Sequence, residues 1–374
     1  MLFRSLPIDG KDRKVLMQAP KNGFFFVVDR TNGKLISAKN FVPVTWATGY
    51  DLKTGRPIET PGARYKDAAF TSLPGALGAH NWQPMAFSPK TQLAYIPAQD
   101  APFYYEETGY YKYRPGLWNL GVDLTGASPP DDMAKFKAIR ATLKGSLIAW
   151  DPVKQKEAWR FDYPGPWNGG ILTTAGNLVF QGDITGRLRA FSADTGKVLW
   201  TFEAGMPIMG SPVTFETGGQ QYVAVVTGYG GAYALTGAFT DNPAPNPNGR
   251  LLVFKLGGKA AYPEVSKLAF GPANPSSDPF TPAQIAQGRP IYENQCFACH
   301  GPGGMSSGVL PDLRRSAAVT DRKLWHDIVG GGLLKDNGMV SFGDKLSEAE
   351  IEAVRGYVSG RASVLQRQEA GGGQ

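Results

Sequence analysis

Short apolar runs bounded by glycine and proline fill the first 260 positions. They include Lys14 to Gln18, Gly23 to Val28, Leu93 to Pro97, Ser146 to Trp150, Asn177 to Gln181, Tyr222 to Thr227 and Arg250 to Lys255. Their brevity and their Val, Phe, Tyr and Ile content predict antiparallel strands. Among them a unit of strand, polar turn and strand recurs: VVDRTNGKLIS from Val27, GYDLKTGRPIE from Gly49, AWDPVKQKEAW from Ala149 and AFSADTGKVLW from Ala190. Asp29, Asp51 and Asp151 share one position of the unit, Gly33, Gly55 and Gly196 another, and the last two units end on Trp159 and Trp200. Glycine allows the positive φ of a tight turn and aspartate accepts from the turn's own amides, so these residues read as structural. Positions 149 and 190 lie 41 residues apart, the length of one four-stranded propeller blade. Positions 27 and 49 are too close for separate blades and read as neighbouring hairpins. The repeated tryptophans are expected to pack between blades.

Residues 102–145 interrupt this pattern. An aromatic stretch, PFYYEETGYYKYRPGLWNLG, precedes a short predicted helix with Asp132 near its start. The segment reads as an excursion over a propeller face, either walling a substrate channel or serving as ordinary packing. From 268 to 280 the Pro- and Ser-rich LAFGPANPSSDPF marks a linker. Helical periodicity then takes over. Thr281, Pro282 and Gln284 form a helix start with a capping box, Gly288 and Pro290 make that helix irregular, and Ser347 to Glu350 starts a last helix carrying Ile351, Val354, Tyr357 and Val358. The expected layout is a propeller portion at 1–267, a linker at 268–280, a helical domain at 281–360 and a flexible tail at 361–374.

Composition narrows the classes. The 374 residues exceed one ordinary domain, and 47 Gly with 29 Pro favour turns over long helices. The net charge of +7 lies wholly within residues 1–280, because acidic and basic residues balance beyond them. It is scattered without a basic stripe, which argues against a nucleic-acid partner. No apolar run is long enough to span a bilayer, and MLFRSLPIDGKDRK has neither the apolar core nor the cleavage site of a signal peptide.

Only two cysteines occur, Cys296 and Cys299, in CFACH. Two thiols at this spacing can each bond one vinyl group of a haem while the adjacent His300 reaches the iron. Zinc would need further ligands, yet the only other histidines are His80 and His326 and there is no second cysteine pair. Met339, beyond a Gly-rich loop, is the expected sixth ligand, its soft thioether favouring ferrous iron. His326 is the rival, and Met305 lies too near the attachment motif.

Several segments resemble the quinohaemoprotein alcohol dehydrogenases: QAPKNGFFFVVDRTNGKLIS from Gln18, GAHNWQPMAFSP from Gly78, WNGGILTTAGNLVFQGD from Trp167, CFACHGPGG from Cys296 and GMVSF from Gly338. The resemblance covers practically the whole chain. It implies an all-β partial propeller of the eight-bladed type, followed by a small all-α cytochrome c domain. It also implies haem c, with pyrroloquinoline quinone (PQQ) and calcium in the complete family form. Lys21 resembles the lysine that donates to the reactive quinone oxygens, an ammonium suited to the negative charge developing there. Asn81 and Trp82 resemble an Asn-Trp pair at the quinone edge, and Trp167 and Asn168 lie in a third matching segment. His80 matches no family base.

The family's first four or so blades, with their vicinal disulfide, stacking tryptophan, calcium ligands and aspartate base, have no counterpart here. The chain is therefore expected to be truncated and inactive alone, unless a partner chain supplies those blades. The partners implied are an alcohol or aldehyde substrate and a downstream electron acceptor, with a periplasmic location for the intact form. The alternative reading is an electron-transfer cytochrome carried on a non-catalytic partial propeller.

Overall fold

The computed structural model describes residues 1–109, 111–127, 130, 132–228, 249–265, 269–306 and 310–371. The expected domain boundary at 267/268 and the last three residues lie outside the described residues. Two compact units result, one built from 1–104, 138–228 and 249–265, the other from 105–137 and 269–371.

The first unit is a succession of antiparallel sheets. Strands β1 (Leu2–Ile8), β2 (Lys11–Gln18), β3 (Phe24–Asp29) and β4 (Leu35–Asn40) pair in sequence order. A hairpin follows, β5 (Ala47–Asp51) with β6 (Arg56–Glu59), and β7 (Phe70–Ser72) pairs with β10 (Phe103–Tyr105). Strands β8 (Ala86–Ser88), β9 (Leu93–Asp100), β11 (Lys144–Asp151) and β12 (Lys156–Tyr163) form a second four-stranded sheet. A third comprises β13 (Ile171–Thr173), β14 (Leu178–Gly182), β15 (Arg187–Ser192) and β16 (Val198–Glu203), and β17 (Val213–Thr217), β18 (Gln220–Val226) and β19 (Leu251–Lys255) form a three-stranded one. Each apolar run expected to be a strand falls in one. The inner strands β9 and β11 are buried on both faces, which is why they read as continuous apolar runs, while the outer β12 and β16 are largely exposed. This arrangement is propeller-like.

All four repeat units form hairpins. The Asp29 carboxylate accepts the Thr31 N–H at 2.9 Å, and Gly33 donates its N–H to the Asp29 carbonyl at 2.8 Å. Asp51 and Asp151 accept from Lys53 at 2.8 Å and Val153 at 3.0 Å. The Thr31 hydroxyl and then its amide hold Asp29 below the usual carboxylate range, and the Lys53 amide chiefly does so for Asp51. Gly33, Gly55 and Gly196 have φ of 75°, 69° and 72°, a region costly for residues with a Cβ. Trp159 of β12 donates its indole N–H to the Ala193 carbonyl at 2.9 Å and stacks on Phe191 in the following sheet. Trp200 of β16 meets Phe254 of β19 edge-on at 5.2 Å. The repeated tryptophans thus join each sheet to the next, as expected.

The second unit is helical: α1 (Met133–Ala141, whose end enters the first unit), α2 (Pro282–Gln295), α3 (Phe297–His300), α4 (Arg322–Val329) and α5 (Glu348–Gly371). Both capping boxes form. Gln284 donates to Thr281 Oγ1 at 3.2 Å while its side chain accepts the Thr281 N–H at 2.9 Å, and Glu350 and Ser347 do the same before α5. Helices α2 and α5 cross closely. A Cβ at Gly288 would lie 2.0 Å from the Ala353 carbonyl oxygen, so what reads in sequence as an irregularity is the crossing point. Arg355 is completely buried, hydrogen bonded to Glu352 at 2.6 Å and the Val319 carbonyl at 2.9 Å, ion-paired with Asp278, and stacked over Phe280.

Two expectations are corrected here. The tail expected to be flexible from 361 is helical through Gly371, because nothing in RASVLQRQEA breaks a helix and Glu369 binds Arg315 at 2.7 Å and the Ala273 N–H at 3.1 Å. The described part of the linker is tied to the helices: Ser276 N–H donates to Ser359 Oγ at 2.9 Å, and Asn274 N–H to the Arg314 carbonyl at 2.9 Å.

Gly288→Ala should cost ~1–3 kcal/mol of the helical unit's stability by overpacking, read as a lower thermal midpoint. A pH effect follows from Arg355. Burial raises Glu352, but hydrogen bonds from Arg355 and His326 outweigh it, and Arg355 chiefly holds Asp278 down. Carboxylates depressed in the folded state contribute stability above their unfolded values and lose it as pH falls through the folded ones. The helical unit should therefore melt at lower temperature below about pH 4, and Arg355→Met should flatten that dependence in a pH series of melts.

Candidate redox site

Helix α2 ends at Gln295, a short break at Cys296 follows, and α3 carries the rest of CFACH. Cys296 is half-buried and packs against the helical core, whereas Cys299 is exposed. Burial, with Glu293 and Cys299 adding, pushes the Cys296 thiol up to about 12. A neutral sulfur suits this environment. The glycine-rich turn after the motif is pinned from α2 and α5: Tyr292 donates its hydroxyl to the Gly301 carbonyl at 2.8 Å, and buried Glu293 accepts from Tyr357 at 2.6 Å and from Gly303 N–H at 3.1 Å. Sequence reasoning singled out neither Tyr292 nor Glu293. Their spacing before Cys296 carried no signal beyond a helix face.

His300 turns Nδ1 toward the Pro311 carbonyl at 3.4 Å, and burial holds it below its usual value. A proton kept on Nδ1 frees Nε2 as a ligand. Met339 is half-buried against the same apolar cluster as Cys296, behind Gly338 with φ of 93°. Met305 instead pairs with Phe136 in a separate small cluster. His326 is engaged elsewhere, its Nε2 at 3.2 Å from Glu352. One thiol and a thioether on one apolar cluster, with the second thiol and His300 on the adjoining short helix, fit a c-type haem.

In the sheet unit, Lys21 Nζ donates to the Ala76 carbonyl at 3.2 Å. Its main-chain carbonyl accepts Ala79 N–H at 2.9 Å, and Gly78, with φ of 80°, has no room for a Cβ beside the lysine stem. Buried Gln99 ties this loop to the third matched segment, donating Nε2 to the Gly78 carbonyl at 2.8 Å and accepting Trp167 N–H at 3.1 Å. Lys21 and Trp167 thus sit at the two ends of one network, and Gln99 is the link that the sequence did not disclose. Asn81 Nδ2 donates to the Leu77 carbonyl at 2.9 Å, Trp82 is 47% exposed, and Asn168 is buried, bonded to the Gly165 carbonyl and Ile184 N–H. His80 is buried with both ring nitrogens against the Ala19 and Gln83 carbonyls, a structural position as expected.

Residues 132–223 match the family described as glucose/ethanol/alcohol dehydrogenase, beta-propeller domain, and residues 283–358 match cytochrome C oxidase, cbb3-type, subunit III. Quinohemoprotein alcohol dehydrogenase ADH IIB of Pseudomonas putida is 47% identical over 361 residues, which are 95% of this chain and 51% of that protein. The chain is a partial-length homologue of the quinohaemoprotein alcohol dehydrogenases. The solved structure of the ADHIIG enzyme from Pseudomonas putida HK5 superposes with a TM-score of 0.87 at 40% identity, covering 98% of this chain and 54% of that one. The Comamonas testosteroni enzyme gives 0.81 at 39%, covering 97% and 53%. The chain thus spans about half the length of the relatives it matches, their C-terminal half. It joins a quinoprotein-dehydrogenase-like domain to a cytochrome-type module, and no helix among the described residues is long and apolar enough to cross a membrane.

Proposed function

We propose that this chain is the electron-conducting half of a PQQ-dependent alcohol dehydrogenase, passing electrons from the reduced quinone to a haem c. The observation that carries this reading is CFACH, with His300 oriented by Pro311 and Met339 on the Cys296 cluster, on the same chain as the Lys21–Gln99–Trp167 network. The sheets are read as part of an eight-bladed propeller, and the complete protein as a periplasmic enzyme acting on an alcohol or aldehyde.

Bound PQQ with calcium would supply the two-electron oxidant, and haem the one-electron carrier. The chain's own residues then divide the remaining work. Lys21, with one donor spent on Ala76, keeps two for a quinone oxygen and places a positive charge where negative charge develops. Asn81 and Trp82 offer amide and indole donors at the quinone edge, and Trp167 and Asn168 line the site. Cys296 and Cys299 would hold the porphyrin covalently, and His300 and Met339 would supply ligands to its iron. This reading assigns no base for the alcohol proton: Asp29, Asp51 and Asp151 hold their turns, and Asp183 is buried against Arg189. That same observation favours the second reading for the chain by itself, a cytochrome on a non-catalytic sheet platform.

Met339→Ala should leave the haem covalently bound, by haem staining of the denatured chain, while abolishing the thioether-to-iron absorption band. An unchanged band would pass the role to another residue. With PQQ, calcium and alcohol, the haem-loaded chain should reduce its haem only when the N-terminal half of a relative is co-expressed with it. In that complex Lys21→Ala should slow alcohol-driven haem reduction at least tenfold and leave reduction by ascorbate unchanged. Alcohol oxidation by the chain alone at the complemented rate would refute the division of labour.

A further inference from the structure

A cavity of about 380 Å³ opens in the helical unit between the segment around 108–123 and α2, within the size range of small-molecule sites. Its lining combines three features that the redox chemistry does not use. Gln295, the last residue of α2, is only 8% exposed. Its Oε1 accepts the Trp118 N–H at 3.1 Å. A backbone amide only donates, so this bond fixes which end of the side chain is oxygen. The buried Nε2 is left without a partner, an arrangement that costs stability unless a ligand acceptor or water meets it.

The second feature is charge. Lys112 and Arg114 line the cavity, and neither forms an ion pair among the described residues. The carboxylates at its edge are already committed, Asp123 to Thr125 N–H and Asn294 Nδ2, and Glu350 to the Ser347 cap. The third is aromatic surface: Tyr111 and Trp118, 53% and 51% exposed, border the same space. Flat rings, two cations without an ion pair among the described residues and an unpartnered amide donor on a lining residue select a flat ligand carrying negative charge and an acceptor oxygen.

We infer that this cavity binds a planar aromatic anion of the ring-carboxylate or ring-sulfonate class, with Gln295 Nε2 donating to its acceptor oxygen and Arg114 and Lys112 facing its charge. The site is independent of whether the chain oxidises alcohols.

Calorimetric titration of the haem-loaded full chain with anthraquinone-2-sulfonate tests it. Binding should be saturable with one site per chain, and at least tenfold weaker for neutral 2-(hydroxymethyl)anthraquinone. Arg114→Ala and Lys112→Ala alter exposed side chains and should each weaken the sulfonate about three- to tenfold. Gln295→Glu retains an acceptor for Trp118 N–H while removing the unpartnered donor, and should weaken it at least tenfold with the haem spectrum unchanged. Should Gln295→Glu fail to fold, the two cation variants still decide the matter. Equal affinity across wild type and the cation variants, or equal affinity for the neutral analogue, would overturn the assignment.

Discussion

The helical unit depends on how closely α2 approaches α5. With glycine at 288, the backbone of α5 comes against α2 at Ala353, and that closeness sets everything one and two turns further along. Tyr292 and Tyr357 then meet with ring centres 5.3 Å apart, and Glu293 reaches both Tyr357 and Gly303. These groups hold the turn that follows CFACH from two sides. A side chain at 288 would push the helices apart and loosen the turn from which His300 projects. A residue far from any reactive atom therefore governs the ligand's placement, because close-packed interiors transmit displacement rather than absorb it.

The same unit recruits chain from both of its flanks. Residues 114–125 reach α2 through Trp118 N–H to Gln295, Leu124 N–H to Asn294, and Leu117 in the apolar core. Residues 273–278 reach α5 through Ser359, Arg355 and Glu369. A helical module of this size buries little apolar surface alone, and these segments extend its core. Buried Arg355 costs desolvation, which is offset by Glu352, Asp278, the Val319 carbonyl and Phe280 together.

Much of this was readable in the sequence where one residue type has one cheap conformation. The repeat aspartates and glycines and the two capping boxes each name a local geometry, and each holds. What was hidden depends on contacts distant in sequence. Strand β1 went unassigned although Asp9-Gly10, with φ of 52° and 70°, is a hairpin signal. The roles of Gly288, Arg355 and Gln99 arise from partners 65, 77 and 21 positions away, and no local pattern encodes such distances. The order of the tail is hidden from the sequence for the related reason that Glu369, which anchors it, finds Arg315 only after the fold has formed.

Polar groups in this chain fall into two populations, and the division locates chemistry better than residue type does. Asp29, Asp51, Asp151 and Asp183 would each pass as a general base by identity, yet the first three accept turn amides at Oδ1 and Asp183 is ion-paired with Arg189. Hydrogen bonds within their turns hold Asp29 and Asp51 below the usual carboxylate range, and freeing either would unmake its turn. Lys21, by contrast, spends one of three donors on a single carbonyl, while its backbone is fixed by Ala79 and its loop by Gln99. That combination, a rigid base with a mostly uncommitted charged end, is what binding a charged or polar partner requires. Arg114 resembles it in part, its backbone N–H and carbonyl both held by the Asn119 side chain while its guanidinium forms no ion pair among the described residues.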